Sequence, residues 1–378
     1  MENVPQTALS LRSLVTEDGN LQLLLKESPV PEPGDDEVVV RIEATPINPS
    51  DQATLIAPAD VSTGKTTGTG ADTVYTAKVR PGLESRVKPR IGKPLAMGNE
   101  GAGIVVKAGS SKAAQALLGK TVAVMDGALY CQYRKVNVMQ CMPLNEGTSA
   151  RDGASCFVNP LTALGFVETM RSEGFKAIVH TAAASNLGQM LNRICLNDGI
   201  DLVNIVRKPE QVELLKSQGA KYVLNSNDEN FSRDLTAAIE ATGAYVAFDA
   251  IGGGDLGSRI LTCMEKAALK DTELPGPYGS NTFKQLYVYG SLDLSPTVIN
   301  RNFGFSWGVN AWLLTPFIQK VGPEKTQQLQ KRVADELTTT FASHYSDEIS
   351  LTDALKAEVV AEYSKQATGQ KFLINPTL

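Results

Sequence analysis

Beyond about residue 150 the sequence keeps returning to one unit: a short apolar run, a turn, then a stretch with apolar residues at helical spacing. The runs at 177–180, 202–206, 222–224, 245–248 and 286–289 each suit a strand, and the segments between them are long enough for helices. Strands joined by helix-length crossovers pair in parallel, with helices covering both faces of the sheet. The alternation therefore predicts an α/β fold with a doubly wound parallel sheet over 146–312. The first 145 residues read differently. EVVVRIEA at 37–44 sets Val, Val and Ile against charges, the period-two pattern of a half-buried strand, and the runs at 103–106 and 121–124 are bounded by glycines. That segment is β-rich. A chain of 378 residues exceeds one ordinary core, so two domains are expected. The helical stretch 325–339 and the strand-like KFLIN return to the first domain, giving 1–145 with 313–378 around an inserted 146–312.

Residues 57–94, rich in Gly, Thr, Pro and Lys without sustained periodicity, read as a long mobile loop, either a lid or a disordered insertion. Within it ADVSTGKT fits the phosphate-loop spacing formally. Pro58 precedes the motif and TTGTGAD follows, so the strand and helix that such a loop needs are missing and the match is rejected. Net charge is -5 and no run of Lys or Arg forms a phosphate-tracking stripe, which argues against nucleic acid as a partner. The first residues lack the basic and apolar regions of a signal peptide, and nowhere do roughly 18 apolar residues run together. A soluble cytoplasmic protein with no membrane partner is the expectation. The five cysteines form no Cys-x-x-Cys pair and read as reduced, structural thiols.

The segment AIVHTAAASNLGQMLNRICLNDGIDLVNIVRKP, 177–209, places a turn of small residues between a strand and a helix. That geometry brings backbone amides against a pyrophosphate, as in a Rossmann dinucleotide site. Only Gly188 remains of the usual glycines, so an ordinary crossover stays open as an alternative. The second strand ends Ile205-Val206-Arg207-Lys208, with no carboxylate for ribose hydroxyls. Arg207 and Lys208 suit a 2′-phosphate instead, which points to NADPH over NADH; a solvated loop pair is the bland reading.

With EATPINPSDQ (43–52), AMGNEGAGIVVKAGS (96–110), VNPLTALGF (158–166), TAAASNLGQ, NIVRKP and LYVYGSLD (286–293) in order, the chain resembles the medium-chain dehydrogenase/reductases. The resemblance is to their quinone oxidoreductase and enoyl thioester reductase branch. It implies a Rossmann domain inserted into a GroES-like β-rich domain, a homodimer paired edge to edge through the LYVYGSL strand, and a small electrophilic substrate. Where zinc-dependent members hold catalytic metal with Cys, His and Cys, this chain has Asn48, Asn99 and Val158. It also lacks the four-Cys lobe, so no metal site is expected. By the same resemblance the cofactor contacts are Asn159, Thr162, Ala184, Ser185, Asn186, Leu187, Arg207, Lys208, Tyr289, Gly290, Ser291, Leu292, Trp312, Leu313 and Lys371. Enoyl thioester reductases carry a catalytic Tyr where this chain has Asp60. Tyr75 is the nearest tyrosine downstream and supplies a proton only if the insertion folds over the site. Asn48 and Tyr75 are the candidate catalytic residues. The implied activity is NADPH-dependent reduction of quinones or other conjugated carbonyls by direct hydride transfer. Enoyl thioester reduction and a non-catalytic NADPH-binding structural or sensor protein are the alternatives.

Overall fold

The computed structural model describes residues 4–270, 276–365 and 368–378. The chain forms two compact units, Met1–Val158 with Gln330–Leu378, and Asn159–Leu329. The junctions thus fall at 158/159 and 329/330, where the sequence reading set them at 145/146 and 312/313.

In the first unit the strand Glu37–Pro46 is the hub. It pairs antiparallel with Glu100–Ala108, with Tyr133–Asn137 and with Phe372–Ile374, so the C-terminal segment closes the sheet that the N-terminal segment opens. Its Val38, Val40 and Ile42 point into one buried cluster with Val105, Val122, Val124 and Val136. The alternation read in EVVVRIEA is this inward face. A second sheet has the order 65–67, 74–78, 20–29, 7–15, 95–96. Its long hairpin, Thr7–Val15 against Asn20–Pro29, buries Leu11, Leu21, Leu23 and Leu25. Gly19 makes the reversal with φ 79°, a left-handed conformation that costs glycine little.

The mobile loop expected over 57–94 is corrected here. Lys65–Thr67 and Val74–Lys78 are strands of the second sheet, with Tyr75 opposite Leu23 and Ala77 opposite Leu21. Tyr75 has 0% exposure and lies in the core with Tyr130, Leu55 and Tyr363. Its hydroxyl is buried without a hydrogen-bond partner, and burial pushes the phenol up to about 12. A phenol inside the core is not presented to a substrate, so the proton-donor expectation for Tyr75 fails on geometry.

The second unit is a six-stranded, all-parallel sheet in the order 222–225, 202–206, 178–180, 246–249, 284–288, 307–311. In chain order these are the third, second, first, fourth, fifth and sixth strands, the doubly wound arrangement. The order reverses between Ile178–His180 and Val246–Asp249, the switch point where ligands of such sheets bind. Helices Asn186–Asp198, Pro209–Ser217, Phe231–Thr242 and Leu256–Lys270 carry the crossovers. The strand expected to form a free edge, Lys284–Val288, is paired on both sides; the outer strand is Trp307–Ala311. Among the described residues no helix is long and apolar enough to cross a membrane.

Deleting only the unpaired hydroxyl, Tyr75→Phe, removes a buried polar group that has no partner. Denaturant titration should show the variant unchanged or more stable by about 1 kcal/mol. A loss of similar size would mean that the hydroxyl is bonded and the core placement is wrong.

Candidate functional site

At the switch point the chain leaves Ile178–His180, turns through residues 181–185 and enters the helix Asn186–Asp198. Ala182 sits at φ 50°, the one non-glycine with positive φ among the described residues. An L-residue in that region carries roughly 1–2 kcal/mol of strain. The turn is held against this strain from several sides. Ser185 N–H donates to Ala182 O (2.9 Å), Ala183 N–H to Ile205 O (3.2 Å) and Gln189 Nε2 to Ala184 O (3.0 Å). Ser185 Oγ caps the helix by accepting from Gly188 N–H at 3.1 Å. A Cβ on Gly188 would stand 2.2 Å from Ala183 O, so only glycine lets the helix approach the turn this closely.

The N–H groups of Ala184 and Leu187 find no acceptor among the described residues. Unpaired donors at the positive end of a 13-residue helix suit a pyrophosphate. The residues present therefore fit a dinucleotide cofactor, with Ser185, Asn186 and Leu187 at its phosphates.

Adjacent on the sheet, the second strand ends at Val206 and delivers Arg207 and Lys208 to the surface. Asn227 Nδ2 donates to Arg207 O (2.8 Å) and Arg207 N–H to Gln211 Oε1 (3.1 Å), which fixes the backbone there. The Arg207 guanidinium has no acceptor among the described residues. Lys208 reaches Glu210 only at 3.9 Å. Both cations are available to an anion.

Across the switch point Asp249 is the tie. Its Oδ1 accepts from Thr181 Oγ1 (2.6 Å) and Ile251 N–H (3.0 Å), and its Oδ2 from Gly252 N–H (3.0 Å). Thr181 Oγ1 in turn accepts from Ala250 N–H at 2.8 Å. Tyr289, Gly290, Ser291 and Leu292 run alongside: Tyr289 N–H donates to Asp249 O, and a Cβ on Gly290 would meet Ala250 O at 2.5 Å. The Tyr289 hydroxyl meets His180 Nε2 at 2.8 Å. Burial pushes His180 down to about 3, so this imidazole is neutral. Thr181, Asp249 and His180 escaped the sequence reading because nothing local marks residues so far apart in the chain as partners.

Other expected contacts are placed less favourably. Trp312 is a core group: Nε1 donates to Thr169 Oγ1 (3.0 Å) and the ring packs edge-on against Phe166. Leu313 beside it is largely exposed, whereas Asn159 and Thr162 are buried in the first turns of the helix Val158–Ser172.

Lys371 and Asn48 belong to the first unit. There Asn48 Nδ2 donates to Glu100 Oε1 at 2.7 Å, and Glu100 Oε2 accepts from the N–H groups of Phe157 (2.8 Å) and Val158 (2.9 Å). Asp51 takes the N–H of Asn48 (2.9 Å) and of Asn99 (2.8 Å). Burial pushes Asp51 up to about 7 against those bonds, and it raises Glu100 as well. Asn48 Oδ1 is buried with no partner. Among the described residues no three His, Cys, Asp or Glu side chains are grouped to hold a metal ion. Asn48 and Glu100 form a hydrogen-bonding centre.

Residues 34–166 match the alcohol dehydrogenase GroES-like domain. The chain is 26% identical over 235 residues to prostaglandin reductase-3 of Bos taurus, covering 61% of this chain and 53% of that protein. It is 30% identical over 232 residues to the mitochondrial enoyl-[acyl-carrier-protein] reductase of Xenopus tropicalis, covering 58% of this chain and 57% of that protein. The chain spans about half the length of the curated relatives it matches. A solved structure from Mesorhizobium loti, named as a candidate NADPH:quinone reductase, superposes with a TM-score of 0.73. It shares 24% identity over 99% of this chain and 100% of that one, which establishes the fold.

Gly188→Ala forces its Cβ against a backbone oxygen and should cost about 1–3 kcal/mol in thermal or denaturant unfolding, together with a loss of nucleotide affinity. Full stability with unchanged nucleotide binding would show that the turn does not hold the cofactor as described.

Proposed function

We propose that the chain, whose residues 34–166 match the alcohol dehydrogenase GroES-like domain, is an NADPH-dependent, zinc-independent reductase of quinones or other conjugated carbonyl compounds of the medium-chain dehydrogenase/reductase kind. The observation that carries the reading is a turn whose amide donors, and a guanidinium at the end of the neighbouring strand, have no acceptor among the described residues. Bound NADPH supplies a hydride from C4 of its nicotinamide. This chain's residues would hold the pyrophosphate at the N–H groups of Ala184 and Leu187. Arg207 would hold the 2′-phosphate, and Lys208 would add charge. Asn48, fixed by Glu100 within the first unit, is the catalytic candidate that remains. A conjugated acceptor spreads the arriving charge onto its own oxygen, so positioning and a proton source are the main requirements. Enoyl thioester reduction through Tyr75 is not favoured, because that phenol is in the core. A homodimer paired through the outer strand Trp307–Ala311 belongs to the same proposal, since pairing would cover an open sheet edge.

Consumption of NADPH with a panel of quinones and enals tests the reading; binding without turnover on any of them would make the protein a nucleotide binder only. At fixed ionic strength Arg207→Ala should weaken NADPH by roughly ten- to a hundredfold and leave NADH nearly unchanged. Arg207→Asp should shift preference towards NADH. Equal use of both nucleotides by the natural protein would contradict the phosphate assignment.

A further inference from the structure

Between the helices Phe231–Thr242 and Leu256–Lys270, which pack on one face of the second unit's sheet, lies a cleft of about 180 Å³. It shares no lining residue with the turn at 181–188. Arg259, Thr262, Cys263 and Lys266 line it from one helix, at i, i+3, i+4 and i+7, the spacing that sets residues on a single side. Ser232 comes from the first turn of the other helix, and Asn300 and Asn302 from the segment that leads to the outer strand. Internal bonds fix these walls. Cys263 Sγ donates to Ser232 O at 3.4 Å and so ties the two helices together. Ser258 Oγ donates to Asn300 O (3.1 Å) and accepts from Asn300 N–H (2.9 Å), and Asn302 N–H donates to Asn300 O (2.7 Å).

The groups left over around the cleft are donors. The Arg259 guanidinium lies 4.7 Å from the centre of the buried Phe231 ring, is half-buried, and has no carboxylate or other acceptor among the described residues. Lys266, two turns further on, has no ion pair among them either. The side-chain amides of Asn300 and Asn302 have no partner there. The N–H of Ser232 also lacks an acceptor among the described residues, because the N-cap Asn230 offers no side-chain bond to this 12-residue helix. Among the described residues no Asp or Glu lines the cleft, and Asp234, beside Ser232 in the chain, is engaged by Arg233 at 2.9 Å. Lys266 alone would be a solvated surface charge. A half-buried guanidinium is different: it gives up hydration that nothing in the protein replaces. An anion with several oxygens would replace it, and the positive end of the helix at Ser232 adds to the attraction.

We propose that this cleft is a binding site for a phosphate group, carried either by inorganic phosphate or by a small phosphate monoester. The volume falls below the roughly 300 Å³ at which pockets for drug-sized ligands begin, so the cleft takes a phosphoryl group with little attached to it. Arg259 supplies a planar fork for two oxygens, Lys266 a point charge, and the amides of Asn300 and Asn302 further donors. The site is independent of the reductase reading, since it calls for neither a nicotinamide nor a conjugated acceptor. A phosphate monoester loses its second proton near pH 6, so binding should strengthen as pH rises from about 5 to about 7 and the dianion forms.

Isothermal titration of the full chain with inorganic phosphate and with glycerol 3-phosphate, at fixed ionic strength, tests the site. Arg207→Ala serves as the reference, because it removes the cation proposed for the nucleotide. The natural chain should bind more tightly at pH 7 than at pH 5, and Arg207→Ala should keep that binding. Arg259→Met should weaken it roughly ten- to a hundredfold. Lys266→Met should weaken it by a smaller factor that shrinks as salt is added. If Arg259→Met does not fold, Lys266→Glu decides: residue 266 is exposed, so the chain should stay folded and lose the binding. Tighter binding of glycerol 3-phosphate assigns the site to phosphorylated small molecules, and equal binding assigns it to phosphate itself. No binding to the natural chain at millimolar ligand overturns the site. Binding that Arg259→Met and Lys266→Glu both leave unchanged also overturns it, and loss of that binding in Arg207→Ala would place the phosphate at the dinucleotide site instead.

Discussion

The first unit is organised around one buried carboxylate. Glu100 has 0% exposure, and its two oxygens take three donors, from the Asn48 side chain and from the backbone of Phe157 and Val158. A carboxylate removed from water costs several kcal/mol unless it is bonded in full, so these donors must arrive together. Glu100 therefore dictates where residue 48 sits and where the chain runs at 157–158. Asp51 repeats the device one step away, collecting the N–H groups of Asn48 and Asn99. The residue types that would have bound a metal in related folds are here amides and an aliphatic side chain. Their work is hydrogen bonding, and it leaves Asn48 rigid.

The second unit concentrates its strain where the proposed ligand binds. Ala182 occupies a left-handed conformation and Gly188 lies against a backbone oxygen within the same short turn. Such geometry persists only because Ser185, Gln189 and the neighbouring strand hold it from outside. The same turn leaves the N–H groups of Ala184 and Leu187 without an acceptor among the described residues. Asp249 performs the matching task across the switch point, locking Thr181 and the residues after its own strand into one network.

Much of this was legible in the sequence because burial leaves a period. The six-strand sheet could be located to within one or two residues for five strands, since both its faces are covered and its strands are continuous apolar runs. The sixth, WGVNA at Trp307–Ala311, carries Gly and Asn at an outer position and gave no such run, which is why LYVYG was taken for the edge. The segment 57–94 misled for a related reason. Only Tyr75 and Ala77 of Val74–Lys78 face the core, and two alternating positions amid Gly, Thr and Lys do not rise above loop composition. The polar centres were invisible in a different way. Asn48 and Glu100 are 52 positions apart, and Lys371 and Ser155 are 216 apart, so no window along the chain contains both partners.

In the proposed reaction hydride passes directly from the nicotinamide to a conjugated acceptor, and the balancing proton comes from water. Turnover of a conjugated enone with NADPH deuterated on the transferred face of C4, in ordinary water, examines both halves in one product. Mass spectrometry and NMR of the saturated ketone should find one deuterium on the β-carbon and protium from solvent on the α-carbon. A product free of deuterium at the β-carbon, or NADPH oxidised without any reduced ketone, would contradict it.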